Sequence, residues 1–237
     1  LITGIDVFGY ILSRFVGQKR GFVIASFFAG FVSSTAATQS MAQKSKKNSW
    51  VEYLVGAALV ANAASFIKLF ILIAPFNIRW LFFVVPSVII MIASAGVLSF
   101  YFLRKKTVAV EGEQKEIQEK SGAIFSLMPA LKFAGLLIVV KIVTKVCLIL
   151  FGKSGFLVSA IVASLVGLDA VVVTLAEMAG TVITYKFALV VLLLVSGTNL
   201  VGKTFYSYIL GSRRFATKFF ISAVIITLLS FVWILFV

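Results

Sequence analysis

The sequence predicts an all-α polytopic membrane protein built from two inverted repeats, each of about three crossing helices plus one re-entrant or broken helix. Three observations carry this. The 237 residues are 61% hydrophobic and 13% charged, with a mean hydropathy of +1.12, whereas soluble domains are roughly half apolar. Apolar runs of about 20 residues, the length that crosses the ~30 Å hydrocarbon core of a bilayer, recur along the whole chain. Finally, the two halves of the chain match at a fixed offset of 134 positions.

The apolar segments run over 1–16, 21–43, 51–74 and 79–103, then 124–150, 154–180, 186–210 and 216–237. Between the fourth and fifth lies a polar cytoplasmic linker, 104–123, whose Glu111 to Glu116 stretch is too hydrophilic to enter lipid. It separates a first membrane repeat, 1–103, from a second, 124–237. The chain opens on Leu1 inside an apolar run, without a signal-peptide pattern, so it reads as a piece or a processed form of a longer protein.

Sliding 21–43 onto 155–177 pairs Gly21 with Gly155, Phe22 with Phe156, Ala29 with Ala163, Val32 with Val166, Ala36 with Ala170 and Ala42 with Ala176. Lys68 falls one residue from register with Lys203, and Ser65 aligns with Asn199. Rare residues that coincide weigh more than small apolar ones, so the halves read as a repeat of the kind many transporters carry.

The second segment of each half cannot be a plain span. After Val32 the chain reads Ser33-Ser34-Thr35-Ala36-Ala37-Thr38-Gln39-Ser40, too polar to face lipid. Ser34 or Thr35, and Asp169 at the repeat-equivalent place, are expected to cap a new helix start, because an N-cap oxygen accepts the free amides there. Broken helices at membrane depth persist only where they are buried in protein or line a cavity.

Charge supports hairpins at both places. If all eight segments cross, the basic residues between them divide nine to eight, which orients nothing. If 21–43 and 154–180 return to the side they enter, the division becomes fourteen to three, with only Arg79, Lys153 and Lys186 outside. Three crossings per half then send the second repeat into the membrane from the opposite face.

Five lysines lie inside apolar runs: Lys68, Lys132, Lys141, Lys145 and Lys203. Each costs about 2.5–3.5 kcal/mol near the bilayer centre on insertion scales, so such groups face the interior and have a partner or a function, unless they snorkel. Snorkelling suits Lys132, while Lys141 and Lys145 share one helical face. Ser196, Asn199, Lys203 and Ser207 form one polar stripe, and Asn62, Ser65 and Lys68 are its counterpart. Both stripes serve either as binding residues or as interhelical hydrogen-bond glue. Asp169 and Glu177 are the carboxylates well inside the second half, and Lys203 is one lysine that would neutralise Asp169.

The candidate substrate-binding set is therefore Ser33, Ser34, Thr35, Thr38, Asn62, Ser65, Lys68, Asp169, Thr174, Glu177, Ser196, Asn199 and Lys203. The half-helix starts place positive dipole ends near the membrane centre. With lysines outnumbering carboxylates there, an anion is favoured, or a cation exchanged against a lysine charge. Histidine is absent and Cys147 is the single cysteine, so no metal site, disulfide or cofactor is expected. No nucleophile and base stand at a recognisable spacing, and the chain does not read as an enzyme.

The run Tyr10 to Gly21, with Gly30-Phe31-Val32-Ser33-Ser34-Thr35-Ala36 and Ser40-Met41-Ala42, resembles the C-terminal membrane domain, of unknown function, found in MgtC/SapB-type proteins. Gly167-Leu168-Asp169-Ala170 with Thr174-Leu175-Ala176 is similar to that family's other signature, and the resemblance covers nearly the whole chain. A departure is Gly167-Leu168, where a further acidic residue is expected, which leaves one carboxylate at this place. The resemblance implies an MgtC-like membrane domain upstream and an association with magnesium limitation and membrane physiology.

The expectation is a multi-pass transporter or channel-like protein of a bacterial or archaeal inner membrane, acting on a small ion or solute at a central site between two broken helices. The alternative is a non-transporting membrane regulator that binds another membrane protein or lipid. Expected partners are the lipid bilayer, a small ion or solute and, as an option, further copies of the chain. Despite the net charge of +14, nucleic acid is not among them, because the basic residues sit as topology signals between apolar runs.

Overall fold

The computed structural model describes residues 18–47, 50–105 and 128–236. Among these the protein is helical: α1 Gln18–Lys47, α2 Val51–Ile73, α3 Ile78–Arg104, α4 Met128–Val166, α5 Leu168–Met178, α6 Tyr185–Leu210 and α7 Arg213–Ser230, followed by a short 3-10 turn at Phe231–Phe236. No strand is formed among the described residues. The first apolar segment, 1–16, and the linker beyond Lys105 lie outside them.

By length and composition six helical stretches are candidates to cross a membrane, Gly21–Lys46, Val51–Ile73, Ile78–Arg104, Ile138–Leu165, Tyr185–Leu210 and Arg213–Phe236, although the first and fourth are interrupted at Ser33 and Gly152. The chain is a multi-pass integral membrane protein. Among these stretches, α2 and α6 have two thirds of their apolar window buried, against 28% for both α3 and α7, 39% for α1 and 17% for the α4 stretch. The outer helices thus present an apolar face, with residues such as Phe82, Ile89 and Leu228 exposed, as lipid-facing helices do.

The described chain forms two compact units, each drawn from both halves of the sequence. One holds 18–66, 92–105 and 203–222, and the other 67–91, 128–202 and 223–236.

In the first unit, α1 is interrupted at Ser33, whose backbone is extended (φ −161°, ψ 98°). The Ser33 hydroxyl accepts the Ala36 N–H at 3.2 Å. The cap is therefore Ser33, a residue ahead of the expected Ser34 or Thr35; all three side chains have the chemistry, and the extended backbone selects Ser33. The Lys44 ammonium sits 5.5 Å from the centroid of the Phe22 ring, although 22 residues of straight helix span about 33 Å. The arms 18–32 and 34–47 therefore double back on one another. Phe22 also packs on Trp50 and Tyr53, each 5.9 Å away. A Cβ at Gly30 would stand 2.0 Å from the Ala61 carbonyl, so only glycine lets the first arm approach α2 this closely. Ser99 donates to the Gly56 carbonyl (2.8 Å) and ties α3 to α2. Lys218 of α7 pairs with Glu52 of α2.

In the second unit, α4 reverses at Gly152, where φ is +62°, a conformation glycine adopts at no steric cost. A Cβ at Gly155 would lie 2.5 Å from the Cys147 carbonyl, whereas eight residues of continuous helix rise about 12 Å. The expected boundary between the segments 124–150 and 154–180 falls at this reversal. A second interruption follows at Gly167, extended at φ −173°, and α5 starts there. Asn77, just before α3, donates to the Ala176 and Ala179 carbonyls (3.2 and 2.8 Å) and accepts the Trp80 N–H at 2.9 Å. One side chain thus caps the start of α3 and the end of α5.

Candidate functional site

In the first unit the polar residues converge just past the Ser33 break. Lys203 of α6 donates to the Ser34 hydroxyl at 2.9 Å and to the Asn62 amide oxygen at 2.7 Å. Asn62 in turn donates to the Thr38 hydroxyl (3.1 Å) and to the Ala58 carbonyl (2.8 Å). The Thr38 hydroxyl then donates to the Ser34 carbonyl at 2.7 Å. All four residues are buried, Thr38 and Asn62 completely and Lys203 to 3% exposure. An ammonium taken out of water is tolerated only with hydrogen-bond acceptors around it, and here acceptors come from both α1 and α2. Ser207, one turn further along the stripe, donates to the Lys203 carbonyl at 2.8 Å. Thr35 is half-buried in the same turn as Ser34.

In the second unit an ion pair stands beside the Gly167 break. Lys68 of α2 donates to Asp169 Oδ2 at 2.7 Å, with the lysine side chain 15% and the carboxylate side chain 31% exposed. Asp169 lies in the first turn of α5, behind the Gly167 break. Gly167 is the N-cap and no side chain bonds there, so the expected capping role of Asp169 is corrected: two residues past the break, its carboxylate reaches outward to Lys68. The lysine that neutralises Asp169 is likewise Lys68, from the other half of the chain, and not Lys203.

The remaining candidates separate into local and longer-range roles. Ser65 and Thr174 bond carbonyls of their own helices, Asn62 and Ala170. Asn199 donates across to the Ser164 carbonyl at 2.8 Å, within the last turn before the Gly167 break. Ser196, 1% exposed, has a buried hydroxyl with no hydrogen-bond partner. Glu177 pairs with Lys141 at 2.6 Å, both about one third exposed, while Lys145 is exposed on the α4 surface. Among the described residues no group of three or more His, Cys, Asp or Glu could hold a metal ion. A groove of about 640 Å³ between the two arms of α4 is almost wholly apolar, and no candidate residue lines it.

Two positions that tie the helices around the breaks went unread in the sequence. Asn77 carried a signal, an Asn between Pro75 and an apolar run, of the type that caps helices. Ser164 takes part through its backbone carbonyl and so left no side-chain signature.

A family model described as a domain of unknown function, DUF4010, matches residues 1–211. No curated protein and no solved structure matches the chain.

Proposed function

The chain belongs to the DUF4010 family, and on the geometry of its site we propose that it is a transporter or channel-like protein for a small ion or solute. The observation that carries this is the placement of a lysine at the first turn behind each helix break: Lys203 at Ser34 and Lys68 at Asp169. A lysine in an apolar span costs about 2.5–3.5 kcal/mol, and intramembrane ionisable groups mark ion and substrate pathways. The reading is non-enzymatic and places the chain in the inner membrane of a bacterial or archaeal cell.

Inverted repeats are part of the proposal. Phe22 packs on Tyr53 at 5.9 Å and Phe156 on Phe187 at 6.3 Å, and both members of the second pair stand 134 positions after the first. Likewise Asn77 bonds the carbonyl of Ala176, while Gly211, at the equivalent of Asn77, lies against the carbonyl of Ala42, the equivalent of Ala176. The hairpins of α1 and of the second arm of α4 with α5 are then re-entrant, since arms of 11 to 15 residues fall short of the ~20 that a bilayer needs. The link to MgtC/SapB-type proteins belongs to the same reading, as does the expectation of an ion-related role.

The test is flux of labelled small ions into proteoliposomes holding the purified protein. Lys68→Gln and Asp169→Asn should each abolish flux of the transported species while the protein remains folded. Unchanged flux in both would make the lysines interhelical glue, and absence of flux for every ion and solute tried would favour the regulator that binds a membrane partner.

A further inference from the structure

The two breaks differ in one respect that bears on substrate class. At Ser33 the polar groups satisfy one another: ammonium, hydroxyls and amide form a continuous buried network. At Gly167 the charges are partly exposed, at 15% and 31%. The hydroxyl of Ser196 in the same unit is buried without a partner. Ser196 stands 134 positions after Asn62, the residue that in the first unit receives the lysine. One unit thus holds a closed lock. The other holds a pair that can open, with an oxygen still to be satisfied.

We propose that Asp169 forms a binding site for a monovalent cation, which displaces the Lys68 ammonium from the carboxylate. The proposal deepens the transport reading and rests on it for its biological meaning. Charge decides against the other classes. An anion would have to compete with a carboxylate fixed in the first turn of α5, where the helix dipole already holds it. A divalent cation takes six or more oxygens and usually several carboxylates, but Asp169 is a single acid, with no acidic cluster among the described residues. A monovalent ion needs one carboxylate and a few neutral oxygens. The Ser196 hydroxyl offers one; the Ala163 and Ser164 carbonyls are taken by the Gly167 N–H and the Asn199 amide, which leaves the carbonyls of Leu165 and Val166, past the reach of intrahelical donors, as others.

The exchange makes and breaks no covalent bond. Before it, Asp169 and the Lys68 ammonium sum to zero; once a cation holds the carboxylate, the site carries one added positive charge and the partly exposed Lys68 ammonium turns to other acceptors. Lys68 reaches Asp169 from α2 and no second acid pairs with it in the described ion pairs. Lys141 of α4 is engaged by Glu177, two turns along α5. Arg79 follows Asn77, and Lys186 follows Tyr185, both by the far end of α5.

The experiment uses the purified chain in lipid nanodiscs, with thermal unfolding measured in lithium, sodium or potassium chloride against choline chloride at equal ionic strength. At least one alkali ion should raise the melting temperature, saturating as a single site does. Asp169→Asn should lose the response, while Lys68→Gln, which removes the competing ammonium, should keep it and reach it at a lower concentration of the same ion. The double variant Lys68→Gln/Asp169→Asn leaves no lone charge and reports whether the fold is intact without the pair. No alkali-specific stabilisation of the wild type, or its survival in Asp169→Asn, overturns the proposal. Flux in proteoliposomes without such stabilisation would sink this site and leave transport standing, whereas stabilisation without flux would keep the site and sink transport.

Discussion

Replacing Lys203 by Met keeps the stem and removes the charge, and the structure sets what that costs. Two hydrogen bonds from an ammonium are lost, to Ser34 and Asn62, each worth about 1.5–3 kcal/mol when a charged group takes part. The Asn62 amide oxygen, in a residue 0% exposed, is left without this donor, at about 1–3 kcal/mol for a buried orphan. Relief of the ammonium's own desolvation offsets part of this, so the net loss is about 2–4 kcal/mol. For a chain of this size that lowers the melting temperature by roughly 5–15 °C. The sharper measurement is a double-mutant cycle with Asn62→Leu, read from thermal unfolding in nanodiscs. The two changes should couple by about 1.5–3 kcal/mol, because the second has nothing left to break. Additivity within about 0.5 kcal/mol, the behaviour of independent sites, would refute the network. Lys203→Arg should not rescue stability, since a planar guanidinium does not fit a site shaped for a compact ammonium.

Gly30→Ala should destabilise by about 2 kcal/mol or more, because its Cβ meets the Ala61 carbonyl at 2.0 Å, whereas Gly96→Ala, with nothing within 4 Å, should be neutral or stabilising; equal melting temperatures would refute the close approach. Asn77→Ala removes three hydrogen bonds at the ends of α3 and α5 and should cost about 2–3 kcal/mol, while Asn77→Asp, which keeps only the bond from Trp80, should recover about a third of the loss. Single cysteines placed at Lys19 and Lys46 should label from the same, cytoplasmic, side, and labelling from opposite sides would eliminate a returning α1.

Much of the fold was legible because the bilayer imposes a length on every crossing element. The bounds of α2, α3 and α6, and of α7 together with its closing 3-10 turn, follow the apolar runs to within a few residues. The α1 break was legible because Ser33 to Ser40 is too polar for lipid, but which oxygen caps it was not, since Ser33, Ser34 and Thr35 offer the same chemistry and only backbone geometry separates them. Asp169 misled for a related reason. A carboxylate near a helix start favours the cap, yet a lysine in reach is the stronger claim on it, and that lysine lies 101 positions away. The polar stripe of Ser196, Asn199 and Ser207 pointed to Lys203 instead. Gly152 marks a reversal that the run boundaries had already located.

The pattern of partners says why neither half of the chain completes its own site. Lys68 comes from the first half and closes the break in the second, while Lys203 comes from the second half and closes the break in the first. The compact units change over between Phe66 and Ile67 on α2 and between Gly202 and Lys203 on α6, close to the two lysines. Left without these partners, two lysines in apolar spans would cost about 5–7 kcal/mol together, comparable to the 5–15 kcal/mol that separates a folded domain from its unfolded chain. Exchange between halves is therefore a condition of the fold and not an ornament upon it. It also places each lysine against a helix start that belongs to a separate stretch of chain.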